Sequence, residues 1–196
     1  DVDNYGLELE AMVRITPRWT FRGNYTNQHV YYRTNLRPTD SLGRSTLDKW
    51  PQIIPNEIGH VSLAYDNKDW GFSAMVAGHY IGSRWRAGDL FNLRDELESA
   101  LWGDLTLSQT LFNDAMTIYF GIKNFSDHQY SIYGNTYGFG SGPLNLPYLY
   151  EPEAGRTYFT GIKSNLDFHR MKLPTVSDLN RMQRRLYGAF GSGMTR

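Results

Sequence analysis

The chain has 196 residues, 20 basic against 20 acidic side chains and no cysteine, with 40% apolar residues, 15% aromatics, 19 glycines and a mean hydropathy of −0.52. The balanced charge excludes a global pull toward nucleic acid, and the lack of cysteine excludes disulfides and thiolate metal sites. No run of about 18 apolar residues occurs, so no membrane helix is predicted, whereas a spanning strand needs only about 9–11 alternating residues and leaves hydropathy low.

Most of residues 4–168 alternate with the two-residue period of a strand. The first predicted strand, Tyr5 to Val13, sets Tyr5, Leu7, Leu9, Ala11 and Val13 against Gly6, Glu8, Glu10 and Met12. After a turn at Thr16-Pro17, Trp19, Phe21, Gly23 and Tyr25 alternate with Thr20, Arg22, Asn24 and Thr26. A third strand, Ile58 to Tyr65, puts Val61, Leu63 and Tyr65 opposite His60, Ser62 and Ala64. In the fourth, Trp70 to Gly82, the side carrying Trp70, Phe72, Ala74, Val76 and Tyr80 faces away from Ser73, Met75, Ala77 and His79, with Met75 blurring the contrast. The fifth opposes Leu101, Leu105, Leu107 and Leu111 to Trp102, Asp104, Thr106, Ser108 and Thr110. The sixth opposes Met116, Ile118, Phe120 and Ile122 to Thr117, Tyr119 and Lys123. The seventh, Arg156 to Phe168, directs Tyr158, Ile162, Leu166 and Phe168 outward and Gly161, Lys163, Asn165 and Asp167 inward.

The connections alternate in length. Thr16-Pro17-Arg18, Asp66-Asn67-Lys68-Asp69 and Asn113-Asp114 are tight turns of turn-forming residues, whereas the segments 33–56, 83–99 and 125–154 are long and rich in Gly, Pro, Asn and aromatics. Short periplasmic turns and long external loops mark an outer-membrane barrel, and loops of this length are uncommon in compact soluble domains. With the tight turns placed in the periplasm, Trp19, Tyr65, Trp70 and Phe168 fall near one membrane interface and Tyr5, Tyr80 and Tyr158 near the other, the positions of two aromatic girdles. A soluble half-buried sheet also alternates, but it predicts neither the girdles nor the one-sided loops.

The polar face then lines a lumen carrying Glu8, Glu10, Arg22, Asn24, Asp104, Thr106 and Lys123. His60 and His79 point inward on neighbouring strands, and with no carboxylate or Cys at ligand spacing they read as ordinary lumen histidines, so no metal or cofactor is expected. No G-x-S-x-G, H-E-x-x-H or P-loop occurs, and no enzymatic step is expected. The long connections carry Tyr31, Tyr32, Trp50, Trp85, Phe91, Tyr133, Tyr137, Phe139, Tyr148 and Tyr150, flat surfaces with polar edges that suit capture of a catecholate, hydroxamate or corrinoid, or equally the packing of loops on one another. Tyr133, Tyr137, Phe139, Trp85 and Tyr32 are the ligand-binding candidates.

Asn4-Tyr5-Gly6-Leu7-Glu8-Leu9-Glu10 at a strand start, the stretch Ile118-Tyr119-Phe120-Gly121-Ile122-Lys123-Asn124-Phe125-Ser126-Asp127-His128-Gln129-Tyr130, and Glu151-Pro152-Glu153-Ala154-Gly155-Arg156-Thr157-Tyr158 together resemble the C-terminal region of TonB-dependent receptors. The second piece is similar to that family's "G-v-x-N-L-f-D-x-x-Y" stretch with Phe125 in place of the usual Leu, and the third to the "E-P-G-R-T-Y" that opens its last strand, with Phe168 as the terminal aromatic. The resemblance covers about residues 4–168. It implies an antiparallel transmembrane barrel of about 22 strands with an N-terminal plug, of which the seven strands here form roughly the last third. It also implies residence in the outer membrane of a Gram-negative bacterium, in contact with its lipid, and import of a scarce nutrient such as a ferric siderophore. Energy would come from the TonB–ExbB–ExbD complex, acting on a TonB box in an N-terminal region that this chain does not contain. The terminal strand with Tyr158, Ile162, Leu166 and Phe168 is the part the barrel-assembly machinery reads in that family. A passive porin-type channel and a soluble β binding module are the alternatives.

The chain starts at Asp1 and reads as a fragment or processed product. Beyond 1–168, the barrel part, 28 residues follow Phe168, with Arg170, Lys172, Arg181, Arg184, Arg185 and Arg196 against one acid, Asp178. Within this basic extension, 169–196, the stretch Thr175 to Phe190 has the period of an amphipathic helix with Val176, Leu179, Met182, Leu186 and Phe190 as its stripe and Ser177 as N-cap. An unstructured tail fits the same composition.

Overall fold

The computed structural model describes residues 1–36, 42–112, 114–136, 148–164 and 176–181. Its elements are β1 (Val2–Arg14), β2 (Trp19–Tyr32), β3 (Glu57–Asn67), β4 (Phe72–Ile81), β5 (Ala100–Leu111), β6 (Met116–Lys123), β7 (Ser131–Thr136), β8 (Tyr148–Pro152) and β9 (Thr157–Ser164). Seven of them form one antiparallel sheet in the order β1-β2-β3-β4-β5-β6-β9, while β7 and β8 pair as a separate hairpin. The sheet is a section of a barrel wall with β1 and β9 as open edges, and the seven strands expected from alternation are its seven members.

Register keeps the two faces apart from edge to edge. Directly opposed residues share a face, and the pairs Leu63↔Val76, Val76↔Leu105, Leu105↔Ile122 and Ile122↔Tyr158 run an apolar row across five strands. Slipping any strand by one residue would turn its whole apolar set inward, so an environment that rewards burial of one face fixes the register. Among the described residues, this chain does not supply that environment. Leu7, Leu101 and Ile162 are 54%, 65% and 67% exposed, and the buried apolar residues Val30, Ala77, Ala87, Phe91, Leu97 and Ala100 all lie on the polar face or in the connections. A soluble sheet would cover its apolar face with a second layer; here, among the described residues, none does, and lipid is the solvent that suits it.

Several boundaries differ from expectation. β2 continues to Tyr32 and at 14 residues is longer than the hydrocarbon core requires. β4 starts at Phe72 rather than Trp70, because Gly71 at φ 64° and the Asn67 carboxamide accepting the Trp70 N–H at 3.3 Å hold Trp70 inside the turn. The hairpin β7–β8 occupies a segment expected to be loop, with a register shift between Ser131 and Tyr133. At the opposite end from these long connections, Thr16 Oγ1 accepts the Arg18 and Trp19 N–H groups and closes the first tight turn. Trp19 packs on Tyr65 at 4.9 Å and Tyr65 on Phe72 at 6.3 Å, which brings together two of the aromatics expected at the tight-turn end, while Trp70 lies in the turn and Phe168 outside the described residues. At the loop end Tyr25 and Tyr80 both donate to the Glu57 carboxylate. On the polar face glycine makes room for rings: a Cβ on Gly121 would collide with Phe159, and one on Gly161 with Tyr119.

In the extension, residues 176–181 are helical, which puts Ser177 inside the helix rather than at its cap. The remainder of the expected helix, and Leu166 and Phe168 of the terminal strand, lie outside the described residues.

Candidate functional site

The long connections emerge at one end of the sheet and are tied into one layer. Asn124, buried and at φ 49°, ends β6 by donating to the carbonyls of His128 and Ala154 while its Oδ1 accepts from Ser126 and the His128 N–H. Asp127 then accepts the Arg156 N–H at 2.8 Å, and Arg156 Nε donates to the Phe125 carbonyl at 3.0 Å. The two sequence motifs on either side of the 125–154 connection are therefore halves of one clasp that joins the end of β6 to the start of β9. Phe125 lies over Gly103, whose Cβ, if present, would sit 2.5 Å from the ring.

Arg84 anchors the β7–β8 hairpin. Its guanidinium is fully buried and donates to the carbonyls of Gly82, Ser131 and Ile132, and burial lowers its pKa from the ordinary arginine value. One step along, the Ala87 N–H donates to the Gly134 carbonyl and the Ile53 N–H to the Trp85 carbonyl, so Trp85 sits between the first external connection and the hairpin that carries Tyr133. Trp50 and Asn92 exchange two hydrogen bonds, Trp50 Nε1 donates to the Ile54 carbonyl, and the Arg44 guanidinium lies 5.0 Å from the centre of the buried Phe91 ring. Trp50 and Phe91 are thus loop-packing anchors. Tyr32, half-buried at the top of β2, shares backbone hydrogen bonds with Asp48 and Lys49. Of the ligand-binding candidates, Trp85, Tyr133 and Tyr32 belong to this layer, whereas Tyr137 and Phe139 lie outside the described residues.

Beneath the layer runs the polar face. Glu8, Glu10, Arg22 and Lys123 are exposed along it, each sharing a face with its cross-strand partner: Glu8↔Thr26, Glu10↔Asn24, Arg22↔Ser62, Lys123↔Thr157. Ser73 with Ser108 (2.7 Å) and Thr110 with Thr117 (3.2 Å) make hydroxyl pairs further down. At its centre Asn24↔His60, His60↔His79 and His79↔Trp102 make one continuous row. The His60 and His79 Nδ1 atoms are 3.2 Å apart, and His79 stacks on Trp102, Trp102 on Tyr130 and Tyr130 on His128. Burial first, then Glu153 and Asp104, raise the Tyr130 phenol above its ordinary value. Asp104 reaches this cluster from β5, with Oδ2 3.3 Å from His79 Nε2 and Oδ1 accepting the Asn124 N–H. The carboxylate that local spacing failed to supply is supplied by strand pairing. Among the described residues no set of three or more His, Cys, Asp or Glu side chains converges as a metal cage. A depression of about 410 Å³ also exists, but it opens on the opposite, apolar face between Gly78, Gly103 and Phe125, where it offers room to an acyl chain and no polar chemistry.

No family model and no curated protein matches the sequence. The fold matches solved structures. The ferric yersiniabactin uptake receptor FyuA from Yersinia pestis aligns with 82% of this chain and 23% of its own at 21% identity and a TM-score of 0.62. The ferric-catecholate import receptor Fiu from E. coli K12, in its open form, aligns with 82% of this chain and 20% of its own at 20% identity and a TM-score of 0.58. The siderophore receptor PiuA from Acinetobacter baumannii aligns with 82% and 21% at 17% identity and a TM-score of 0.63. The chain spans less than a quarter of each of these structures. Its fold is that of a wall section of TonB-dependent receptor barrels, as the sequence resemblance implied.

Proposed function

We propose that residues 1–168 form part of an outer-membrane TonB-dependent receptor that imports a scarce nutrient, with a ferric siderophore as the first candidate, and that 169–196 is a separate basic extension. The observation that carries this reading is the pairing of an uncovered apolar face with a layer of tied, aromatic-rich connections at one end of the sheet only. The similar folds of structures described as a ferric yersiniabactin uptake receptor, a ferric-catecholate import receptor and a siderophore receptor support it. In this reading the apolar face meets lipid, Trp85, Tyr133 and Tyr32, with Tyr137 and Phe139, contact the cargo, and Glu8, Glu10, Arg22, Asp104 and Lys123 line its passage. Tyr158 and Ile162, with Leu166 and Phe168, belong to the strand recognised by the barrel-assembly machinery. TonB with ExbB and ExbD acts through the rest of the receptor, and no bond of the cargo is broken by this chain.

The test is uptake of labelled ferric siderophores by cells lacking their own receptors and expressing the full-length gene product, with and without TonB. Uptake that disappears without TonB supports the reading. Uptake that is indifferent to TonB replaces it with a passive channel.

A further inference from the structure

We propose that His60 and His79 form a binding site for a tetrahedral divalent cation of the zinc class on the polar face, a site independent of the cargo assigned above. Three features of the geometry lead there. First, two imidazole nitrogens bound to one tetrahedral ion at about 2.0–2.1 Å lie roughly 3.3 Å apart, the edge of the tetrahedron. The two Nδ1 atoms stand at 3.2 Å already, held by directly opposed residues of adjacent strands. A cis pair on a square-planar ion would need about 2.8–2.9 Å at the same bond length, which disfavours that geometry.

Second, the outer side of His79 is arranged as a metal-binding histidine requires. His79 Nε2 is buried, makes no aligned hydrogen bond, and has Asp104 Oδ2 at 3.3 Å. A carboxylate at that nitrogen favours the tautomer with the proton on Nε2, which leaves the Nδ1 lone pair free to bind. Asp104 is itself fixed, because its other oxygen accepts the Asn124 N–H at 2.9 Å. Third, the His79 ring is clamped by stacking on Trp102 at 5.2 Å and an interplanar angle of 13°, so its orientation is set before any ion arrives.

One Nδ1–H donates to the other Nδ1 across the pair. Binding replaces that hydrogen bond: His60 moves its proton from Nδ1 to Nε2 and turns its Nδ1 lone pair to the ion beside that of the fixed His79 ring, and water fills the two remaining positions. No redox change or further reactant is involved. Two protein ligands make a moderate, exchangeable site rather than a structural one, in keeping with a water-filled wall.

The experiment uses the full-length gene product, untagged and purified in detergent, with Zn²⁺ in equilibrium dialysis and Co²⁺ in visible absorption. The expected result is one saturable Zn²⁺ that is weakened at least tenfold by either His60→Asn or His79→Asn and is unchanged by His29→Asn. Asp104→Asn, which leaves both nitrogens in place, weakens it about 10–100-fold as loss of an orienting carboxylate does. Bound Co²⁺ shows the intense bands of a tetrahedral ion, and each variant keeps the heat-modifiable gel migration of a folded barrel. Absence of saturable Zn²⁺ binding, binding in either histidine variant as tight as in the parent, or a weak octahedral Co²⁺ spectrum overturns the proposal. Because siderophore uptake is not the readout, failure here leaves the import reading standing, and failure of import leaves this site standing.

Discussion

Replacing Leu105 by arginine puts a guanidinium on the apolar face at the middle of β5, between Val76 and Ile122. Arginine on the lipid face at the bilayer midplane costs about 2–4 kcal/mol in barrels of this kind. That lowers the folding equilibrium constant about 30- to 700-fold. Thr106, the next residue, faces Met75 and Gly121 on the polar side, and arginine there keeps its head in water and changes stability by less than about 0.5 kcal/mol. Urea unfolding of the complete barrel in phospholipid vesicles, followed by tryptophan fluorescence, measures both. Equal costs at the two positions, or a larger cost at Thr106→Arg, would refute the assignment of the faces.

Asn124→Ala removes a buried carboxamide with four side-chain hydrogen bonds and leaves the His128 N–H and two carbonyls short of partners, a loss of about 2–3 kcal/mol read from the same unfolding midpoints. Arg84→Met frees the β7–β8 hairpin from two carbonyl contacts, at Ser131 and Ile132, and limited proteolysis is expected to cut at 124–156 at least tenfold faster while the barrel core stays resistant. Trp85→Ala and Tyr133→Ala are each expected to weaken cargo binding about tenfold with the unfolding midpoint unchanged, a contrast that loop packing alone would reverse. The Tyr130 phenol keeps its proton longer in the folded state than in the unfolded one, so its contribution is whole below about pH 10 and is lost as the pH rises through the higher folded value. The difference in phenolate absorbance between the parent and Tyr130→Phe should therefore titrate above pH 10, and a titration below it would contradict the burial that causes the shift.

The faces of the wall were legible because a two-residue period carries them in every strand, and because lipid tolerates few exceptions. The turns were legible because Thr16 and Asn67 act on their immediate neighbours. Trp70 was misplaced since a ring at the end of an apolar row looks like a strand residue, and only the positive φ of Gly71 reveals the turn. The hairpin β7–β8 was missed because Gly134 and Pro152 interrupt its alternation and a register shift offsets the pairing. Arg84 gave no signal at all: two of its three acceptors lie 47 and 48 residues further on, and a buried arginine among carbonyls has no local pattern. The His60, His79 and Asp104 cluster is of the same kind, since its members meet only through the registers of β3, β4 and β5. The motif from Asn124 to Asp127 was readable as a resemblance, while its physical role, clasping Arg156, needed the fold.

The central claim is that one face of this sheet meets lipid and the other meets water. The chain has no cysteine, so single cysteines can be placed at each position from 104 to 108 of the full-length protein and labelled with a polarity-sensitive fluorophore in lipid vesicles. The account predicts blue-shifted emission, quenched by lipid-borne spin labels, at Leu105 and Leu107, and water-like emission at Asp104, Thr106 and Ser108. Emission that is uniform along the segment, or that alternates with the opposite phase, would contradict it.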